Sequence, residues 1–188
     1  MMTYEKRISE LTQAIRSFFE NNGEKFAQVV HEVQKRLNRD KKILIFGNGG
    51  SASQAQHFAA ELVNKFLLER PAIPAIALTT DTSVLTSIAN DESFDTVFSR
   101  QVEALGNKGD IALGLTTSGN SPNIIRAVQA AKDRGLFTIV LTGEGGGKVG
   151  PYPDILCDVP SPTTPVIQEV HLLLLHLLAE EVEKSMAI

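Results

Sequence analysis

The stretch covering residues 43–61, ILIFGNGGSASQAQHFAAE, constrains the fold more than any other part of the chain. Its apolar, β-rich opening (43–46) has the makeup of a strand buried in a parallel sheet. Gly47, Asn48, Gly49, Gly50 and Ser51 follow, and then the spacing turns amphipathic and helical. A strand, a Gly/Ser turn and a helix start aim free backbone N–H groups and a positive dipole end at one place, where an anion such as phosphate can sit. Within that helix His57 and Glu61 are four residues apart and share a face. Alone, such a pair is as readily a solvated stripe. Beside a phosphate cradle it points to chemistry on a phosphorylated small molecule.

Before this stretch, residues 3–20 place Ile8, Leu11, Ile15, Phe18 and Phe19 at helical spacing, and residues 24–38 repeat the pattern with Phe26, Val29, Val30, Val33 and Leu37. Asn21, Asn22 and Gly23 between them read as a stop. The spacing therefore predicts a helical hairpin over residues 1–40, with apolar stripes to bury on the domain or on another subunit. His31 beside the second stripe reads as structural or exposed.

After it, helix is expected to about residue 68, where Arg70-Pro71 breaks the pattern. A strand is predicted at 74–78, and a helix at 79–89 opens on Thr80, Asp81, Thr82 and Ser83. Another helix (94–105), a strand (111–115), a helix to about 134, strands at 136–141 and 155–159, and a last helix at 166–184 complete the order. This alternation predicts an α/β fold: a five-stranded parallel sheet flanked by helices, with its core in residues 41–188. Loops 47–51, 116–121 and 142–147 all fall at carboxyl ends of strands, where such sheets bind ligands.

Thr116, Thr117, Ser118 and Ser121 put four hydroxyls within six residues at a helix start, enough to hold phosphate without a cation. The plainer reading is a Ser/Thr turn and cap. The glycines of 142–147 more often mark a turn than a site. The last helix carries Gln168, His171 and His176 in an otherwise apolar stretch, and buried polar groups need partners. With His57 and Glu61 they offer imidazole and oxygen donors compatible with zinc. Gln168 and His176, about 12 Å apart along an ideal helix, reach one ion only by stretching from opposite ends. His171 points about 140° away from His176 and reads as a core or interface residue.

Composition sets outer limits. A net charge of −4 over 188 residues gives no global reason to expect nucleic-acid binding. Cys157 is the only cysteine, which rules out an intrachain disulfide and a thiolate zinc site. The N-terminus is charged where a signal peptide needs an apolar core, and the longest apolar stretch, 170–179, is too short to span a bilayer. One soluble, cytoplasmic domain over residues 1–188 is expected.

Four segments, GNGGSASQAQHFAAEL, IANDESFDTVFSRQVEALGNKGD, TTSGNSPNII and IQEVHLLLLH, together resemble the phosphoheptose isomerases, also called sedoheptulose 7-phosphate isomerases. The likeness runs over nearly the whole chain. It implies the sugar isomerase (SIS) fold, a flavodoxin-like sheet, and an aldose–ketose isomerase that turns sedoheptulose 7-phosphate into D-glycero-D-manno-heptose 7-phosphate. That step opens the synthesis of nucleotide-activated heptoses for lipopolysaccharide and other surface polysaccharides. The resemblance further implies a homotetramer with interfacial active sites and one Zn2+ per subunit on His57, Glu61, Gln168 and His176. By the same match the substrate contacts are Asn48, Gly49, Gly50, Glu61, Asn90, Asp91, Thr116, Thr117, Ser118, Ser121 and Gln168.

Isomerisation moves a proton between neighbouring carbons, which needs a carboxylate base and a second acid/base group across the enediol. Glu61 is the expected base and His176 its partner. A metal would polarise the substrate oxygens. Glu61 cannot be a tightly held ligand and a free base without cost to one role, so loose coordination or a shift on substrate arrival is expected. Lys65 stands where the family often has Arg, Val166 where a basic residue often precedes the IQE motif, and Gln54 where an acidic residue is common. Two other readings share the fold: a non-catalytic SIS protein that binds the replication initiator DnaA, and another sugar-phosphate enzyme such as an etherase or amino-sugar isomerase. The first departs from the isomerases at the Glu61 and His176 positions, both of which are kept here; the second is usually longer or two-domained.

Overall fold

The structure, a computed structural model, describes residues 3–186. Helix α1 (Thr3–Leu37) leads into β1 (Ile43–Gly47), α2 (Gly50–Val63), β2 (Ala75–Ala77), α3 (Thr82–Asp91) and α4 (Ser99–Leu105). The chain continues through β3 (Ile111–Thr116), α5 (Pro122–Asp133), β4 (Phe137–Gly143), β5 (Ile155–Val159) and α6 (Thr164–Met186). All strand pairs are parallel, in the order β2-β1-β3-β4-β5. The α/β sheet expected from the alternation is the one found.

Strand residues alternate between two cores, as the period of two requires. Along β1, Ile43 and Ile45 face the core built with α1, α2 and α6, which contains Phe18, Phe58, Leu62 and Leu174. Leu44 and Phe46 face the other, with Phe98, Val102 and Ile124 of the α4 and α5 side. Helices on both faces explain why every residue of β1 and β3 is buried. The chain leaves β1 toward β2 on one side, and β3 lies on the other. The carboxyl ends of β1 and β3 therefore diverge at a topological switch point, which opens a crevice between α2 and α5.

The hairpin over residues 1–40 is corrected: α1 is one helix of 35 residues. Asn22 is buried within it, its Nδ2 donating to the Asp158 carbonyl at 3.0 Å and its Oδ1 accepting from Lys25 Nζ. Phe18, Phe19 and Phe26 meet edge-to-face across the supposed break. A helical glycine costs about 1 kcal/mol. Ring packing and a satisfied buried amide offset that for Gly23. Smaller differences have local causes too. The helix predicted from 79 starts at Thr82 because Asp81 caps it through the Val84 N–H, and 94–105 divides into a 3-10 turn (Phe94–Thr96) and α4. Helix α2 ends at Val63, since the backbone beyond it bonds to side chains instead. Among the described residues no helix is long and apolar enough to cross a membrane.

Candidate functional site

The crevice at the switch point is a small cleft of about 70 Å³ lined by Asn48, Ser51, Leu115, Thr116, Thr117, Ser118, Ser121 and Gln168. No Lys or Arg lines it. Its polarity comes from hydroxyls, amides and the N-termini of α2 and α5, a donor set suited to phosphate. Gly47 lets the turn close, since a Cβ there would lie 2.8 Å from Ser51 Cβ and 3.0 Å from the Leu115 carbonyl. Gly49 adopts φ +54 with open space around it, so a ligand can approach its backbone. Two of the four hydroxyls serve the turn: Thr116 Oγ1 accepts from the Gly119 N–H and Ser118 Oγ from the Asn120 N–H. Ser121 precedes α5 without bonding to it through its side chain.

Two features of the cleft were not legible in advance. Asn48 and Asn123 exchange a pair of amide hydrogen bonds, each 2.9 Å, tying the end of β1 to the start of α5. This commits the Asn48 side chain to holding the cleft walls together. The 142–147 loop does not line the cleft but backs it. A Cβ at Gly143 or Gly147 would strike the carbonyls of Thr117 or Ser118, and the Val149 N–H donates to the Gly119 carbonyl. Those glycines exist so that one loop can lie against another. Gln168 reaches the cleft from α6. A Cβ at Gly50 would fall 2.7 Å from its Nε2, and Gln54 donates to its backbone carbonyl at 2.7 Å.

At the other end of α2, three predicted residues converge. Glu61 Oε1 lies 3.0 Å from His57 Nε2 and 3.4 Å from His176 Nε2, and the two ring nitrogens are 3.0 Å apart. Helix α2 supplies the first two by their i,i+4 spacing, and α6 packs across it to bring the third. Glu61 is 9% exposed, and its buried Oε2 has no hydrogen-bond partner. Such an atom costs free energy, while it is the other oxygen, Oε1, that faces the two imidazoles. Zinc bonds to nitrogen at about 2.0–2.1 Å, so tetrahedral ligand atoms stand roughly 3.3 Å apart. The triangle has nearly those edges and forms one face of such a shell. His57, Glu61 and His176 thus fit a divalent ion with a fourth position open. In this chain the Gln168 amide stands at the opposite end of α2 from that triangle.

Other predicted residues are placed as follows. Asn90 and Asp91 end α3, exposed and bonded to each other at 2.8 Å, outside the cleft lining. Lys65 pairs with Glu69. His31 is exposed on α1. His171 is a core residue, as its helical phase implies, and burial pushes its pKa down to about 4 against a hydrogen bond to the Thr142 carbonyl at 3.1 Å. Phe66, Arg70 and Glu183 also cluster behind the triangle, with the Phe66 ring stacked on His176 at 5.4 Å. No periodicity or motif marks them.

A carboxylate and two imidazoles around one point, with an anion cleft on the same helix, can move protons on a phosphorylated substrate. Comparison with known proteins agrees. The family model described as the SIS domain matches residues 4–143. A phosphoheptose isomerase of Nitratidesulfovibrio vulgaris (Hildenborough) is 52% identical over 169 residues, 90% of this chain and 81% of that relative. The solved phosphoheptose isomerase GmhA of Neisseria gonorrhoeae superposes with a TM-score of 0.89 at 43% identity, covering 97% of this chain and all of that one (100%). The phosphoheptose isomerase of Francisella tularensis gives 0.93 at 38% identity, with 98% and 100% covered.

Proposed function

The chain belongs to the SIS-domain family and, within it, to the phosphoheptose isomerases, and from that premise we propose that it converts sedoheptulose 7-phosphate to D-glycero-D-manno-heptose 7-phosphate through an enediol. The observation that carries the reading is the 3.4 Å approach of Glu61 to His176, from helices more than a hundred residues apart in sequence. Glu61 removes a proton from C1, the carbon beside the ketone, and returns it to C2. His176 moves the hydroxyl proton from O1 to O2, so the carbonyl ends on C1 and no atom is gained or lost. A protein that only binds a partner such as DnaA has no chemical use for this convergence.

His57, Glu61 and His176 would hold zinc, with Gln168 as the fourth donor. When bound, the ion supplies Lewis-acid polarisation of the substrate oxygens. Asn48, Gly49, Gly50, Thr116, Thr117, Ser118 and Ser121 hold the phosphate end.

The cleft and the triangle lie at opposite ends of α2. Glu61 lies eleven positions beyond Gly50, about 16 Å of helix. An extended seven-carbon sugar phosphate spans roughly 10 Å at about 1.3 Å per backbone bond. That mismatch supports a site completed between copies, with the cleft and Gln168 of one facing the triangle of another. Asn90 and Asp91, exposed on a helix with no buried residue, become substrate contacts in the same way. Exposed Tyr4, Ile8 and Phe19 on α1 support its use in packing a homotetramer. The enzyme would act in the cytoplasm, at the first step toward nucleotide-activated heptoses.

The test is turnover of sedoheptulose 7-phosphate with zinc present. Glu61→Gln and His176→Ala should each lower kcat by about 10²–10⁴-fold while the assembly persists. Full activity in Glu61→Gln, or no conversion by the wild-type protein, would refute the assignment.

A further inference from the structure

Behind the triangle stands a charged pair that the isomerase chemistry does not use. The Glu183 and Arg70 side chains are 1% and 0% exposed, with Arg70 Nε 3.1 Å from Glu183 Oε1. The Glu183 carboxylate also accepts the backbone N–H groups of Phe66 (2.7 Å), Leu67 (2.7 Å) and Leu68 (3.0 Å). These three donors belong to an irregular segment with no ladder or helix to satisfy them. Burial opposes the charged carboxylate, but these donors and Arg70 outweigh it and hold the Glu183 pKa below its ordinary value. Arg70 uses its remaining nitrogens on the last turn of α2, Nη2 to the Glu61 carbonyl at 2.6 Å and Nη1 to the Leu62 carbonyl at 2.7 Å.

The pair therefore ties together three segments beside the triangle: the last turn of α2, the backbone of residues 66–68 and α6. It holds the backbone of Glu61. It holds α6 at Glu183, seven residues beyond His176 and within about 20° of it around the helix. It also holds the backbone N–H of Phe66, and the Phe66 ring stacks, offset, beside the His176 imidazole with centroids 5.4 Å apart and planes 11° from parallel. A buried ion pair is a poor way to gain net stability over an apolar substitute, and its best-attested use is to fix one arrangement. Here that arrangement is the plane of an imidazole.

We propose that Phe66, locked in place by the buried Glu183–Arg70 pair, is a positioning residue that sets the orientation of the His176 ring for proton transfer. Its catalytic consequence rests on the isomerase reading, while its geometric content stands without it. A ring that rocks about its own bond presents Nε2 to Glu61 and to the substrate only part of the time. Binding of the distant phosphate end does not feel that motion. The loss should thus fall on kcat and spare KM.

Phe66→Leu keeps the site apolar and removes the stacked face, and Phe66→Tyr keeps the face. Phe66→Leu should lower kcat for sedoheptulose 7-phosphate about tenfold with KM changed less than about twofold, and Phe66→Tyr should restore kcat to within about twofold of wild type. An unchanged kcat in Phe66→Leu, or failure of Phe66→Tyr to restore it, overturns the proposal. A second readout needs neither turnover nor metal. In metal-free protein with isotope-labelled histidine, the His176 ring protons should be shifted upfield by the Phe66 face in wild type and Phe66→Tyr, and should move downfield in Phe66→Leu. Unmoved His176 resonances overturn the proposal even if the wild-type protein turns over no heptulose phosphate, an outcome that would itself count only against the isomerase reading. Glu183→Gln should shift the same resonances in the same direction; if that variant does not fold, the Phe66 pair decides.

Discussion

His171 and His176 are five residues apart on α6 and have opposite fates. His176 turns toward α2 and the triangle, while His171 turns into the sheet, where its Nε2 donates to the Thr142 carbonyl and its Nδ1 has no partner. An imidazole so enclosed resists protonation, and its pKa falls from 6.5 to about 4. The unfolded chain takes up the proton near 6.5 and the folded chain only near 4, so between these values the unfolded state binds more protons. Stability then rises with pH through that window and is lost as pH falls through it, by about 1.4 kcal/mol per pH unit for one full proton. Urea unfolding between pH 6.5 and 4.5 should show this slope in the wild type. His171→Gln, which can still donate to the Thr142 carbonyl, should flatten it by about one proton, and an undiminished slope would mean that another group titrates there.

Elements were legible where a local pattern determined them. The run 43–46, the alternation of strands and helices, and the Ser/Thr loop after β3 all register as period or composition, and each is found where expected. The i,i+4 spacing of His57 and Glu61 put both on one face of α2, and His176 was conspicuous as a polar residue in an apolar helix. The continuous α1 was illegible because part of what carries the helix through Asn21, Asn22 and Gly23, beside the local ring packing, is the Asp158 carbonyl, 136 residues away. Arg70 and Glu183 were illegible because isolated charges default to solvent, and only their mutual burial shows otherwise. The 142–147 glycines are intermediate: visible as a turn, with a purpose that appears only against the neighbouring loop. Gly119 adopts φ +65, and a Cβ there would strike the Gly146 carbonyl. Gly119→Ala must therefore strain its own backbone and push a second loop away, so it should cost about 1–3 kcal/mol in denaturant unfolding and raise KM. Gly50→Ala makes an instructive contrast. It meets only the movable end of Gln168, so it should leave unfolding within about 0.5 kcal/mol of wild type while still impairing turnover. If both variants behave alike, the cleft is not built on these loop contacts.

For the molecule as a whole, the spacing of the cleft from the triangle matters more than either alone. A substrate roughly 10 Å long with its phosphate at Gly50 stops short of the Glu61 Cα of the same chain, about 16 Å along the helix, and only the Glu61 side chain, leaning toward the α2 N-terminus, narrows that gap. The symmetric oligomer proposed above would remove the conflict, since its two-fold interface would set the cleft of each copy against the triangle of the other. This arrangement can be tested without a structure of the assembly. Gln168→Ala damages the cleft side and Glu61→Gln the triangle side, so each homo-oligomer should be nearly inactive. When the two variants are co-expressed and assemble at random, about a quarter of the sites pair an intact cleft with an intact triangle from different copies. The mixture should recover up to about that share of wild-type kcat with near wild-type KM. If every site were formed within one chain, no pairing could restore it and the mixture would stay as inactive as its parents. That result would require the substrate to bind within one chain, away from the α2 N-terminus, and would remove the reason for assigning Gln168 and Glu61 to different copies.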